Sequence, residues 1–126
     1  MKIDHFGFVV ENLDDALGNY PLHKLINRVK DPIQMSDLAL IESDNGCALE
    51  LICPEKEVGT TWNFLQKTGG GFHHVCYLIP NEDMAALYFE TFRCVRVSAW
   101  VAATLFDGRV CFGVSKNRGM IELRCL

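Results

Sequence analysis

The sequence predicts an α+β fold in which one supersecondary unit is written twice, and two observations lead there. A strand-like opening, Ile3-Asp4-His5-Phe6-Gly7-Phe8-Val9-Val10, returns as Phe72-His73-His74-Val75-Cys76-Tyr77 after the glycines Gly69, Gly70 and Gly71. The register behind it is kept: His5 and His74, Asp14 and Asp83, Ala16 and Ala85, and Tyr20 and Phe89 are each 69 positions apart. Any chain of strands and helices offers single coincidences. Here cap, helix face and histidine agree together, and a repeat sets the fold.

Residues 2–10 are rich in Ile, Phe and Val and read as a strand. Asn12 precedes a short amphipathic helix over 13–20, with Asp14 and Asp15 in its first turn, so it is read as the N-cap. Pro21 limits that helix, and the segment 22–32 reads as a connection with Pro32 near its end. Ser36–Ile41 and Cys47–Cys53 read as strands around the turn Asp44-Asn45-Gly46. Thr60–Lys67 reads as a linker helix stopped by the glycines. The order then restarts. Phe72–Ile79 is a strand, Asn81–Phe89 a capped helix, and Val95–Trp100, Arg109–Val114 and Met120–Cys125 are strands, with Asp107-Gly108 as a turn. The second half thus reads as strand, helix and three strands, and the first, which shows one strand fewer, is taken as a copy of the same unit. The chain is read as a single domain, with module 1 over about 1–54, the linker helix over 55–68 and module 2 over about 69–126.

Composition narrows the classes of function. Hydrophobic residues make up 49% and charged residues 22% of the 126, the balance of a soluble globular chain. With a net charge of −4 and 12 scattered basic residues, neither nucleic acid nor an anionic membrane is expected as partner. No run reaches the ~18 apolar residues of a membrane span, and the start lacks a signal peptide's apolar core, so the cytoplasm is the expected location. The six cysteines form no Cys-x-x-Cys pair and are read as free thiols that mainly fill apolar space.

Each half carries a histidine on its first strand and a glutamate on its last: His5 with Glu50, and His74 with Glu122. The acids sit in Ala48-Leu49-Glu50-Leu51-Ile52 and Met120-Ile121-Glu122-Leu123-Arg124. A carboxylate among aliphatic residues is costly unless it is paired or bound to metal. Its recurrence at corresponding positions argues that both acids face one interior. A lone strand histidine is more often a hydrogen-bonded core residue than a ligand. Two imidazoles and two carboxylates together form a mixed nitrogen and oxygen set suited to a divalent first-row ion.

These segments carry a resemblance. Asp4-His5-Phe6-Gly7-Phe8-Val9-Val10 with Asn12-Leu13-Asp14-Asp15-Ala16 resembles the opening of the vicinal oxygen chelate (glyoxalase/bleomycin resistance/dioxygenase) superfamily. Glu50-Leu51-Ile52-Cys53-Pro54, Gly69–His74 and Ile121-Glu122-Leu123 look most like methylmalonyl-CoA epimerases, and next like glyoxalase I. The resemblance implies two βαβββ modules whose curved mixed sheets enclose a central metal cavity. It implies His5, Glu50, His74 and Glu122 as ligands of a divalent ion, one of Zn, Co, Ni, Mn or Fe. It further implies an isomerase, epimerase or lyase that stabilises an enolate next to a carbonyl, with Glu122 or Glu50 as base. The expected partner is a small carbonyl compound or acyl thioester, and the expected assembly a homodimer.

By period-two alternation His73 points away from His74, while Gly7, Ile52, Phe72, Cys76 and Arg124 share a face with a proposed ligand. Arg124 either binds a substrate carboxylate, thioester oxygen or phosphate, or steadies Glu122 by a salt bridge. Cys76 is a redox-sensitive thiol or a space filler, and His23 is expected to be exposed. Two departures from the epimerase pattern stand out. Gln34 occupies the place of an additional catalytic glutamate, and Ser98–Thr104 is less polar than its counterpart. The competing reading is a non-catalytic small-molecule binding or antibiotic-sequestering protein of the same fold. Oxygen chemistry at iron ranks below both, because it usually needs open coordination positions.

Overall fold

In the computed structural model, which describes residues 2–117 and 119–126, the chain divides into two compact units. One comprises Phe6–His73; the other comprises the residues up to His5 together with His74–Leu126. The fold is α+β, with mixed sheets and short helices.

In the first unit, β1 (Lys2–Val9, whose last four residues belong here) runs parallel to β4 (Ala48–Pro54). Antiparallel β3 (Ser36–Glu42) and β2 (Lys24–Asp31) complete the order β2-β3-β4-β1. Helix α1 (Leu13–Gly18) begins at Asn12, whose side chain accepts from the Asp15 N–H at 2.9 Å as expected of an N-cap. Its buried face, Leu13 and Ala16, packs with Ala39, Ile41 and Leu51 of the sheet. The segment expected to be a plain connection is β2 itself. Most of its residues are exposed, and a bulge between Leu25 and Asn27 breaks the alternation that would have marked it as a strand. Helix α2 (Trp62–Thr68) ends at Gly69, which takes φ 78° and donates to Leu65 O. Gly70, at φ +96°, comes so close to Val9 that an added Cβ would lie 2.6 Å from its carbonyl oxygen. The glycine run is thus a helix stop and a close approach of backbone to backbone.

The second unit repeats the plan. β5 (Gly71–Leu78, from His74 onward in this unit) runs parallel to β9 (Gly119–Cys125), followed by antiparallel β8 (Arg109–Ser115) and β6 (Val95–Arg96). β7 (Val101–Ala102) also pairs with β8. Helix α3 (Ala85–Phe92) buries Ala85, Phe89 and Phe92 against Cys111, Ile121, Leu123 and Cys125. Two expectations are corrected here. Asn81 makes no side-chain cap; a 3-10 turn over Glu82–Met84 intervenes before α3. Of the strand expected over Val95–Trp100 only Val95–Arg96 forms, as β6; Ser98 leaves the ladder, its hydroxyl accepting from the Phe112 N–H at 2.8 Å, and β7 begins beyond the expected span at Val101.

Candidate metal centre

The two halves place a histidine and a glutamate in the same relation. In β5 and β9, Cys76 pairs with Glu122; in β1 and β4, Gly7 pairs with Glu50. In both ladders the acid therefore sits opposite the residue two beyond the histidine, and residues two apart share a face of a strand. The second unit brings His5, His74 and Glu122 together. His74 Nε2 lies 2.8 Å from Glu122 Oε2, His5 Nε2 lies 3.6 Å from that oxygen, and the two nitrogens are 3.4 Å apart. His5 and His74 are each 1% exposed and Glu122 is 4% exposed. Glu50 occupies the equivalent register of the first unit, where it too is buried.

The donor set fits a divalent ion. Donors bound to one ion at about 2.1 Å stand roughly 3.0–3.6 Å apart for angles between about 90° and 120°. The three separations found need only small shifts to meet that range. The tautomer of His5 suits the same purpose. Its Nδ1 lies 2.8 Å from Asp4 Oδ2, and an ionised carboxylate only accepts, so Nδ1 carries the hydrogen and Nε2 offers its lone pair.

Aromatic rings wall the cluster. Phe106 stacks on His5 at 4.6 Å between ring centroids, and Phe112 meets His74 edge-on at 5.7 Å. Burial raises the Glu122 carboxyl, but the charge of His74, 2.8 Å away, leads the opposing effect of the two imidazoles and holds the acid ionised, well below the usual carboxylate range. At Asp4, burial likewise opposes ionisation, and the His5 hydrogen bond with the Arg124 charge prevails.

The structure sorts the other sequence candidates. Arg124 makes its salt bridge with Asp4 rather than Glu122: Nη1 donates to Asp4 Oδ1 at 2.8 Å and Nε to the Asp107 carbonyl at 3.0 Å. Cys76 is fully buried, with Sγ within 4.8 Å of ligand atoms of both Asp4 and His5. Phe72 is half exposed against Phe8, and Ile52 is buried. His73 meets Phe64 of α2 edge-on. His23, expected in solvent, is partly covered, because its backbone N–H closes a turn onto Tyr20 O and brings the two rings within 5.1 Å. Gln34 lies in the turn between β2 and β3, where its carbonyl accepts from Ser36 Oγ and the Thr60 N–H. Sequence reasoning passed over Asp4 and Phe106. Adjacency to His5 was the available sign for Asp4; Phe106 lies in an irregular loop and gave none.

The profile of the Glyoxalase/Bleomycin resistance protein/Dioxygenase superfamily matches residues 4–112. The chain belongs to this superfamily. Among solved structures, this glyoxalase-superfamily protein is similar to the methylmalonyl-CoA epimerase from Mycobacterium tuberculosis, with 23% identity, TM-score 0.84, and 98% of this chain and 86% of that one covered. A hypothetical protein from Bacillus halodurans C-125 gives 24% identity and TM-score 0.86, with 99% and 94% covered. The Streptomyces coelicolor methylmalonyl-CoA epimerase in complex with 2-nitronate-propionyl-CoA gives 20% and 0.83, with 99% and 96% covered. At these identities the likeness establishes the fold. No curated protein sequence matches the chain.

Proposed function

We propose that the protein is a metal-dependent isomerase, epimerase or lyase acting on a carbon next to a carbonyl, with an acyl thioester or small carbonyl compound as substrate. The observation that carries this reading is the convergence of His5 Nε2, His74 Nε2 and Glu122 Oε2 in a buried, aromatic-walled cluster. His5, His74 and Glu122 would hold the ion. Glu50 would be the fourth ligand, supported by its burial and by its register in the repeat. A divalent ion there supplies a Lewis acid that eases negative charge onto the substrate carbonyl oxygen.

The chain's own residues supply the rest. A carboxylate, Glu122 or Glu50, takes the proton from the carbon beside the carbonyl and returns it to that carbon or its neighbour. With Gln34 standing where a further acid is expected, no other glutamate in that segment is available for the task. Phe106 and Phe112 keep water from the cluster, which strengthens each charge interaction inside it. Arg124 is proposed to steer an anionic or carbonyl oxygen of the substrate by its charge. The proposal extends to a homodimer in the cytoplasm; among the described residues no helix is long and apolar enough to cross a membrane.

The test is solvent-deuterium exchange into branched acyl thioesters and α-keto compounds, with and without chelator. Metal-dependent exchange, reduced about 10²–10⁴-fold in Glu122→Gln, is expected. Metal-free protein that binds apolar ligands without exchanging any proton would favour the sequestering role instead.

A further inference from the structure

We propose that Asp4 is a positioning residue of the centre, setting the tautomer and orientation of His5, and that Arg124 holds Asp4 in place for it. Four side chains form a closed ring. Asp4 Oδ2 accepts from His5 Nδ1 and Asp4 Oδ1 from Arg124 Nη1, each at 2.8 Å. The Arg124 guanidinium lies over Phe106 at 4.9 Å, and Phe106 stacks on His5 with 19° between the planes. The two contacts on His5 restrain different motions. Phe106 limits tilting of the imidazole, and Asp4 blocks the half-turn that would exchange its nitrogens.

The acid needs Arg124 as much as His5 needs the acid. The side chains of Asp4 and Arg124 are only 15% and 14% exposed, and a carboxylate so covered requires a charged partner to remain an acceptor. Arg124 is fixed in turn through Nε on the Asp107 carbonyl. A histidine ligand whose second nitrogen is held by a carboxylate binds metal more tightly, and loss of that partner typically costs 10–100-fold in affinity. This role for Arg124 acts through Asp4 and does not depend on contact with substrate.

The inference rests on the metal-centre reading, and the experiment separates the two. Metal-free protein is titrated with Zn²⁺ or Co²⁺, and the imidazole nitrogens of His5 are followed by ¹⁵N NMR without metal. Asp4→Ala should weaken binding about 10–100-fold and convert His5 from a single Nδ1–H tautomer to a mixture. Asp4→Asn keeps the volume and an acceptor oxygen, so it serves if the alanine variant fails to fold; a smaller loss of affinity is expected. Arg124→Gln should weaken binding several-fold through the loosened acid. A purely structural Asp4 would change stability and leave the tautomer and affinity alone, which would overturn the proposal. Wild-type protein that binds neither ion would remove the centre itself, and this proposal with it.

Discussion

Glu122 carries its charge where burial opposes it, and that has a consequence for pH. In the metal-free protein its carboxyl is drawn from an ordinary 4.5 down to about 2 by His74 and His5. A depressed folded value stabilises the fold above the unfolded value and is lost as pH falls through the folded one. The contribution should therefore be complete above about pH 5 and drain away toward pH 2, amounting to a few kcal/mol at the order-of-magnitude level. Denaturant titrations of wild type and Glu122→Gln across that window check it, since the variant should lack this component. The residues of this cluster were legible because they recur: the repeat paired His5 with His74 and Glu50 with Glu122 before any geometry was known. Asp4 was not, because alternation assigns neighbours to opposite faces, whereas its carboxylate reaches round to the adjacent Nδ1.

At the scale of elements, the two helix entries look alike in sequence and differ in structure. Asn12 caps α1 and Asn81 makes no side-chain cap. Asn12→Ala should cost about 1 kcal/mol, whereas Asn81→Ala should fall within about 0.5 kcal/mol of wild type; thermal unfolding of the two variants compares them. Gly70→Ala should cost more, about 2–4 kcal/mol, because φ is +96° and the new Cβ would collide with the Val9 carbonyl. Sequence pattern recovered the elements whose one face is buried and the turns that need glycine. It missed β2, an edge strand with a bulge, and it ran β6 on past Ser98 to Trp100. In both places the backbone departs from the strict period on which strand reading depends.

Across the whole molecule, burial rather than residue type governs the thiols. Cys47 is exposed, while Cys76, Cys111 and Cys125 are buried, and burial pushes the Cys111 thiol up to about 11. Alkylation of the native protein near neutral pH, read by mass spectrometry, should modify Cys47 first and leave those three intact until unfolding. Rapid labelling of Cys76 would show that the cluster opens readily to solvent. Metal acts on the same scale: an ion that binds only the folded chain adds about 2.7 kcal/mol at a hundredfold excess over its Kd. That increment raises the unfolding midpoint by roughly 10 °C for a chain of this size.

The central claim is that the repeated His–Glu pairs hold one divalent ion. The most direct test is the metal content of protein purified without chelator, measured by elemental analysis for wild type, His74→Ala and Glu50→Ala. One ion per chain in the wild type, lost in both variants while the fold is retained by circular dichroism, is the result predicted. A wild type that carries no metal and takes up none, or variants that keep the full complement, would contradict it.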